Sequence, residues 1–254
     1  MVRAKKHLGQ HFLKSAETAA RIGEALSFEG YAKVLEIGPG MGILTQHLLK
    51  KDTEVFVVEI DGESVLYLEE NFPALAGHII PADFLKLDVK ELMKEPFALI
   101  GNYPYNISSQ IIFKLLEYVD LIPEMAGMFQ KEVADRLCAE PGTKTYGILS
   151  VLSAVYYDRE YLFTVEREEF NPPPKVRSGV IRFKRKAQLR EDFDHDLLKR
   201  VVKAAFNQRR KTLRNALKSL NLPLQDIDEE LLQKRAEQLS YEQFIAISKR
   251  LGDK

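Results

Sequence analysis

A chain of 254 residues that is 45% hydrophobic and 29% charged can bury a real core, as one large domain or one large and one small. It holds a single cysteine, Cys138, which excludes an internal disulfide, and no run approaches the roughly 18 apolar residues of a membrane span. The formal net charge is zero, yet residues 175–218 carry 15 Lys/Arg against 4 Asp/Glu, and the first 16 residues hold Arg3, Lys5, Lys6 and Lys14 with no acid. Basic charge segregated in this way suits a face that binds a polyanion, and it also suits a solvated surface. The N-terminal stretch is basic but lacks the apolar core of a signal peptide, so a cytoplasmic protein is expected.

In chain order, KVLEIG (33–38) predicts a buried strand and ILTQHLLKK (43–51) a helix. EVFVVEID (54–61) reads as strand, ESVLYLEENF (63–72) as helix and GHIIPAD (77–83) as a further strand. FALIGN (97–102) is strand, SSQIIFKLLEYV (108–119) helix, EMAGMFQ (124–130) strand and KEVADRLC (131–138) helix. Strands alternating with helices imply an α/β fold, a parallel sheet with helices on both faces, and such sheets bind ligands beyond the carboxyl ends of their strands. Further on, two β-rich runs flank Pro172-Pro173-Pro174, which cannot donate to a ladder, so a stiff loop in an antiparallel hairpin is expected. Beyond residue 186 the pattern is wholly helical and charged. The expected organisation is therefore a sheet domain over 1–186 and a small helical, RNA-binding domain of three to five helices over 187–254.

LEIGPGMGILT (35–45) places Gly38, Gly40 and Gly42 between a strand and a helix, where glycines permit a tight turn and close approach of a ligand. The dinucleotide fingerprint G-x-G-x-x-G is not met, because Ile43 stands where its last glycine would be. Glu59 follows Gly38 by 21 residues at the end of the next strand, where an acid accepts both hydroxyls of a ribose. Asp83 ends the third strand, where it can accept from an adenine amine. Together they outline an adenosine pocket whose loop suits S-adenosylmethionine better than a nicotinamide dinucleotide. Glu36 orients the loop, meets the ligand's ammonium indirectly or caps nearby backbone.

Asn102-Tyr103-Pro104-Tyr105 closes the fourth strand on the same sheet edge. An adenine amine is a poor nucleophile because its lone pair is delocalised into the ring. Asn102 offers a side-chain carbonyl to that amine, Tyr103 a backbone carbonyl, Pro104 a rigid turn and Tyr105 a ring to stack on the base. Phe170, before the prolines, either covers the second face of the base or anchors its loop. In AAFNQRRKTLRNAL (204–217), helical spacing turns Phe206, Leu213 and Leu217 toward a core and leaves Arg209, Arg210, Lys211 and Arg214 largely outside, as a phosphate grip or a solvated face. The histidines show no paired ligand spacing, so no metal is expected, and Cys138 reads as buried within a helix.

The blocks KKHLGQHFL, EIGPGMG, VEID, ADF, NYPYNISS, FNPPPKVRS and FNQRRKTLRNAL resemble those of the KsgA/RsmA small-subunit (16S) rRNA adenine N6,N6-dimethyltransferases, from about Lys5 to the C-terminus. The resemblance implies a Rossmann-like class I methyltransferase sheet. It also implies dimethylation of two adjacent adenosines in the 3'-terminal hairpin loop of small-subunit rRNA, within the pre-30S particle late in assembly, by a monomer consuming four S-adenosylmethionine molecules per pair of sites. Cofactor positions then fall on Gln10, His11, Leu13, Gly38, Gly40, Glu59, Ile60, Asp83, Phe84 and Asn102, and target-base positions on Asn102, Tyr103, Pro104, Tyr105 and Phe170. RNA contacts are expected from Lys5, Lys6, Lys175, Arg177 and the four cations of 209–214. His11 replaces a frequent asparagine, which leaves its side-chain role open. Tyr103 replaces a frequent leucine, which a backbone role tolerates. Two other readings share the fold: an Erm-type enzyme modifying one adenosine of large-subunit rRNA, and an RNA-binding factor without catalysis.

Overall fold

The computed structural model describes residues Val2, Ala4, Lys5 and 8–252; Lys6, an expected RNA contact, lies outside the described residues. The chain divides into two compact units, Met1–Asp135 with Arg159–Arg185, and Arg136–Asp158 with Lys186–Lys254.

The first unit opens with β1 (Phe12–Leu13) and α1 (Ala16–Gly23), whose first turn is capped by the Ser15 hydroxyl. Then follow β2 (Lys33–Ile37), the short α2 (Thr45–Leu48), β3 (Glu54–Glu59), α3 (Gly62–Asn71), β4 (Ile79–Pro81), α4 (Val89–Met93), β5 (Phe97–Asn102), α5 (Ser108–Glu117), β6 (Glu124–Gln130) and α6 (Lys131–Leu137). After α7 (Ile148–Tyr156) come β7 (Tyr157–Val165), β8 (Phe170–Asn171) and β9 (Ser178–Arg185). The seven-stranded sheet runs β4-β3-β2-β5-β6-β9-β7, parallel from β4 through β6, with β9 antiparallel to β6. β2 and β5 are almost wholly buried, and apart from Lys33, Glu36 and Asn102 they carry no polar side chain, as suits strands covered on both faces. The chain lays down β2, β3 and β4 outward, then returns to place β5 on the other side of β2. The order therefore reverses between β2 and β5, and a ligand crevice is expected beyond their carboxyl ends. β1 and β8 form a separate two-stranded pair, Phe12 opposite Asn171 and Leu13 opposite Phe170.

The second unit contains α7, α8 (His195–Asn207), α9 (Leu213–Leu217), α10 (Glu229–Gln233) and α11 (Tyr241–Gly252). The expected single division at 186/187 is corrected in one respect: residues 136–158 belong with the helical unit. α7 packs against α8 and α11, and its ILSVLSAVY sequence is buried on nearly every side. A run that is apolar all round carries no period, so its helical character and its allegiance were not readable from pattern. Among the described residues no helix is long and apolar enough to cross a membrane.

Candidate active site

A cavity opens beyond the carboxyl ends of β2 to β5, within the first unit. Its walls are the Gly38–Gly40 turn, Glu59 with Ile60, Asp83 with Phe84, the corner from Asn102 to Ile107, and the N-terminal segment from Leu8 to Phe12. Gly38, Gly40 and Gly42 all take positive φ, +66°, +57° and +78°. A Cβ on Gly40 would lie 2.9 Å from the Phe12 ring, and one on Gly42 2.4 Å from the Phe72 ring. Gly38 and Gly40 thus shape the cavity, whereas Gly42 makes room for packing behind it.

Three carboxylates cluster near this turn and behave differently. Glu59, 4% exposed, accepts the Gly40 N–H at 3.1 Å and the Asp61 N–H at 2.9 Å, one on each oxygen. Burial raises its pKa against those bonds, and each oxygen retains a second lone pair for a ligand hydroxyl. Glu36 is outside the cavity wall: buried at 1% exposure, it accepts the Thr45 hydroxyl at 2.6 Å and so ties the end of β2 to the start of α2. Of its three sequence readings, the loop-orienting one fits. Burial pushes its carboxyl up to about 8, the neighbouring Glu59 charge adding to this against the Thr45 bond. Asp83 caps the turn at Phe84–Lys86 through the Leu85 N–H at 3.0 Å and reaches the cavity.

At the Asn102 corner, the amide Nδ2 donates to the His11 carbonyl at 3.1 Å. That bond turns Oδ1 to the opposite side, where it accepts nothing from the described residues. The backbone carbonyl of Tyr103 likewise receives no donor from them. The Tyr103 ring points away into the sheet, 1% exposed, its hydroxyl donating to Ala126 O at 2.9 Å and its face stacked on Phe129 at 4.6 Å. Gly101 and Gly127 clear the space for that ring: a Cβ on Gly127 would lie 2.5 Å from it. Tyr105 is half-buried, with its hydroxyl 2.5 Å from the Ser178 hydroxyl and its ring stacked on His11 at 5.5 Å. His11 also holds the proline loop, its Nδ1 lying 2.8 Å from the Pro172 carbonyl.

Several expected residues fall elsewhere. Leu13 is a core residue, not a cavity wall. Phe170 is fully buried in the same core opposite Leu13, so it offers no face to the cavity and acts as the anchor of its loop. Lys5 is bound by Asp61 at 2.5 Å and Glu63 at 3.1 Å rather than presented as a free cation. Lys175 and Arg177 are exposed, Arg177 lying 3.6 Å from Glu166. In the helical unit Arg209 bonds the Thr143 carbonyl at 3.2 Å and approaches Glu237 at 3.7 Å, and Arg214 pairs with Glu229. Arg210 and Lys211 are exposed and make no ion pair with the described residues. Phe12 and Asn106 were not anticipated as cavity residues. The positive φ of Gly9, where a Cβ would meet the Asn106 Oδ1 at 2.6 Å, marks the contact that brings Asn106 in. Cys138 is only half-buried and lies one residue beyond α6. Among the described residues no group of three or more His, Cys, Asp or Glu is arranged to hold a metal ion.

The family model described as ribosomal RNA adenine dimethylase matches residues 1–253. The chain belongs to the ribosomal RNA adenine dimethylase family. Ribosomal RNA small subunit methyltransferase A of Flavobacterium johnsoniae is 55% identical over 251 residues, 98% of this chain and 96% of that protein. Among solved structures, a dimethyladenosine transferase from Plasmodium falciparum matches with a TM-score of 0.80 at 25% identity, covering 96% of this chain and 98% of its own. The 23S rRNA methyltransferase ErmE matches with a TM-score of 0.74 at 28% identity, covering 95% and 99%. The Rossmann-like sheet expected of a family dimethylase is the one observed, and the sequence resemblance to its small-subunit branch holds.

Proposed function

We propose that this adenine dimethylase transfers methyl groups from S-adenosylmethionine to the N6 amines of two adjacent adenosines in the 3'-terminal hairpin loop of small-subunit rRNA, late in assembly of the pre-30S particle, as a cytoplasmic monomer. The observation that carries the reading is the pair of open acceptors on consecutive residues, Asn102 Oδ1 and Tyr103 O, beside a nucleoside-sized crevice. The kinship with a protein named for the small subunit supports that subunit over the large one.

The donor set fits a nucleoside cofactor. Glu59 offers acceptors for ribose hydroxyls, Asp83 offers one for the adenine amine, and the Gly40 cradle would be filled by any Cβ. Gln10, His11, Gly38, Ile60 and Phe84 complete the wall, with Leu13 supporting it from the core. When bound, S-adenosylmethionine supplies an electrophilic methyl group. The chain's own part is to aim the amine. Asn102 Oδ1 and the Tyr103 carbonyl accept its two N–H groups, which draws the nitrogen toward a pyramidal geometry and frees its lone pair. Pro104 fixes the turn between Tyr103 and Tyr105, and the Tyr105 ring, braced by Ser178 and His11, covers the base. No strong base is required, because the positively charged amine formed by methylation is acidic enough to lose its proton readily. Orientation supplies much of the rate.

Of the expected RNA contacts, Arg210, Lys211 and Lys175 are exposed and make no ion pair with the described residues, which leaves them to meet phosphate, while the exposed Arg177 shares Glu166. Incubation with methyl-labelled S-adenosylmethionine tests the assignment. Label is expected in the rRNA of unmethylated small subunits, and label confined to large subunits would overturn it in favour of an Erm-type activity.

A further inference from the structure

The five residues Leu8–Phe12 line the cavity as a strap. Its far end is held at His11, by the Asn102 amide, the Pro172 carbonyl and the Tyr105 ring, and by the two-residue β1 paired with β8. Its near end is held from outside the cavity wall. The Asp61 carboxylate, 2% exposed, accepts the Lys5 ammonium at 2.5 Å on one oxygen and the Gln10 amide at 3.1 Å on the other. Lys5 and Gln10 are themselves joined, the Lys5 N–H donating to Gln10 Oε1 at 2.8 Å, and the Leu8 N–H returns to the Lys5 carbonyl at 3.0 Å. Lys5, Leu8 and Gln10 are therefore tied to one another, and Lys5 and Gln10 are seated on one buried carboxylate. Burial opposes the charge of Asp61, but the bonds from Lys5, Gln10 and the Glu63 N–H outweigh it and hold its pKa below the usual carboxylate value. Asp61 also donates its N–H to Glu59, so the seat of the strap and the acid assigned to the ribose lie on one turn. Charge-assisted bonds of this kind are among the stronger local contacts, whereas a segment with little buried area opens readily once they are lost.

We propose that Asp61 is a positioning residue that, through Lys5 and Gln10, latches the strap over the nucleoside pocket, so that the cofactor and its demethylated product enter and leave by opening of this strap. The proposal rests on the reading of the cavity as the S-adenosylmethionine site. Lys5→Met removes the ion pairs with Asp61 and Glu63 but leaves the Asp61 cap of α3 in place, and Asp61→Asn keeps an oxygen to cap α3 while removing the charge.

Two measurements test the latch: the dissociation rate of S-adenosylhomocysteine by stopped flow, and hydrogen exchange of the amides of residues 8–12 in ligand-free protein. Both variants are expected to release the product about tenfold faster, with faster exchange at 8–12 and unchanged exchange across α3 in Lys5→Met. Release at the parent rate would overturn the latch even if the strap exchanges faster. Faster release with unchanged exchange would also overturn it, since the ligand would then leave by another route, such as past the exposed Ile60. Failure of the parent protein to bind either ligand would instead remove the cofactor reading and the latch with it. If Asp61→Asn does not fold, Lys5→Met decides alone.

Discussion

At the sheet's carboxyl edge, the groups assigned to chemistry keep a free valence. In segment 204–217, half of the cations assigned to RNA are already engaged. Asn102 is held by one bond from its amide nitrogen, which leaves its oxygen and the next carbonyl open to the crevice. Arg209 and Arg214, by contrast, are drawn to Glu237 and Glu229, and Arg210 and Lys211 remain exposed without such partners among the described residues. The difference is one of range. Strand ends bring side chains to one edge by topology, so a residue's place in the chain defines its company. Charges on helices are settled by acids that arrive from other elements, and no local pattern announces them.

Four variants probe this contrast. Asn102→Ala is expected to have the largest effect, a loss of about a hundredfold or more in single-turnover methyl transfer, with cofactor affinity kept within about threefold. A parallel loss of cofactor binding, measured by calorimetry, would make Asn102 a structural residue and remove the contrast. Next is Glu36→Gln. The folded protein holds a proton on Glu36 between its ordinary 4.5 and about 8, where the unfolded chain has lost it, so stability falls as pH rises through that window. The glutamine variant is expected to flatten that slope by up to about 1.4 kcal/mol per pH unit, on the order of a few kcal/mol across the window, read from urea unfolding at several pH values. An unchanged slope would mean that Glu36 is ionised in the folded state. The smallest effect is expected in the helical unit. Reversing Arg210 and Lys211 to Glu should weaken rRNA binding about tenfold and lower the salt slope by about 0.7 to 0.9 per lost phosphate contact. Arg214→Ala should cost RNA affinity less and stability roughly 0.2–1 kcal/mol, as an exposed ion pair does. Equal RNA effects from the two sets would erase the distinction between paired and unpaired cations.

Much of the catalytic edge was legible in the sequence. β2, β3, β5 and β6 lie within a residue or two of their expected bounds, because short apolar runs ending in Gly or a polar residue have few alternatives. The strand order alone puts Gly38, Glu59, Asp83 and Asn102 at one edge. The rest depended on contacts between distant segments. An aromatic residue before prolines looks the same whether it stacks on a base or anchors a loop, and burial opposite Leu13 decides for Phe170. Asp61 stands at the end of the expected strand 54–61 with no signal of its own, and its grip on Lys5 and Gln10 spans more than fifty residues. Gln10 and His11 were reached only through family resemblance, since neither carries a local signal.

On this proposal the Asn102–Tyr105 corner presents N6 of small-subunit adenosines to the methyl donor. Mass spectrometry of nuclease fragments tests it most directly, using unmethylated small and large subunits after reaction with S-adenosylmethionine. The predicted result is N6,N6-dimethyladenosine at two adjacent positions of the small-subunit 3'-terminal hairpin, absent with Asn102→Ala. Absence of dimethyladenosine with the parent protein, or its appearance only in large-subunit rRNA, would contradict it.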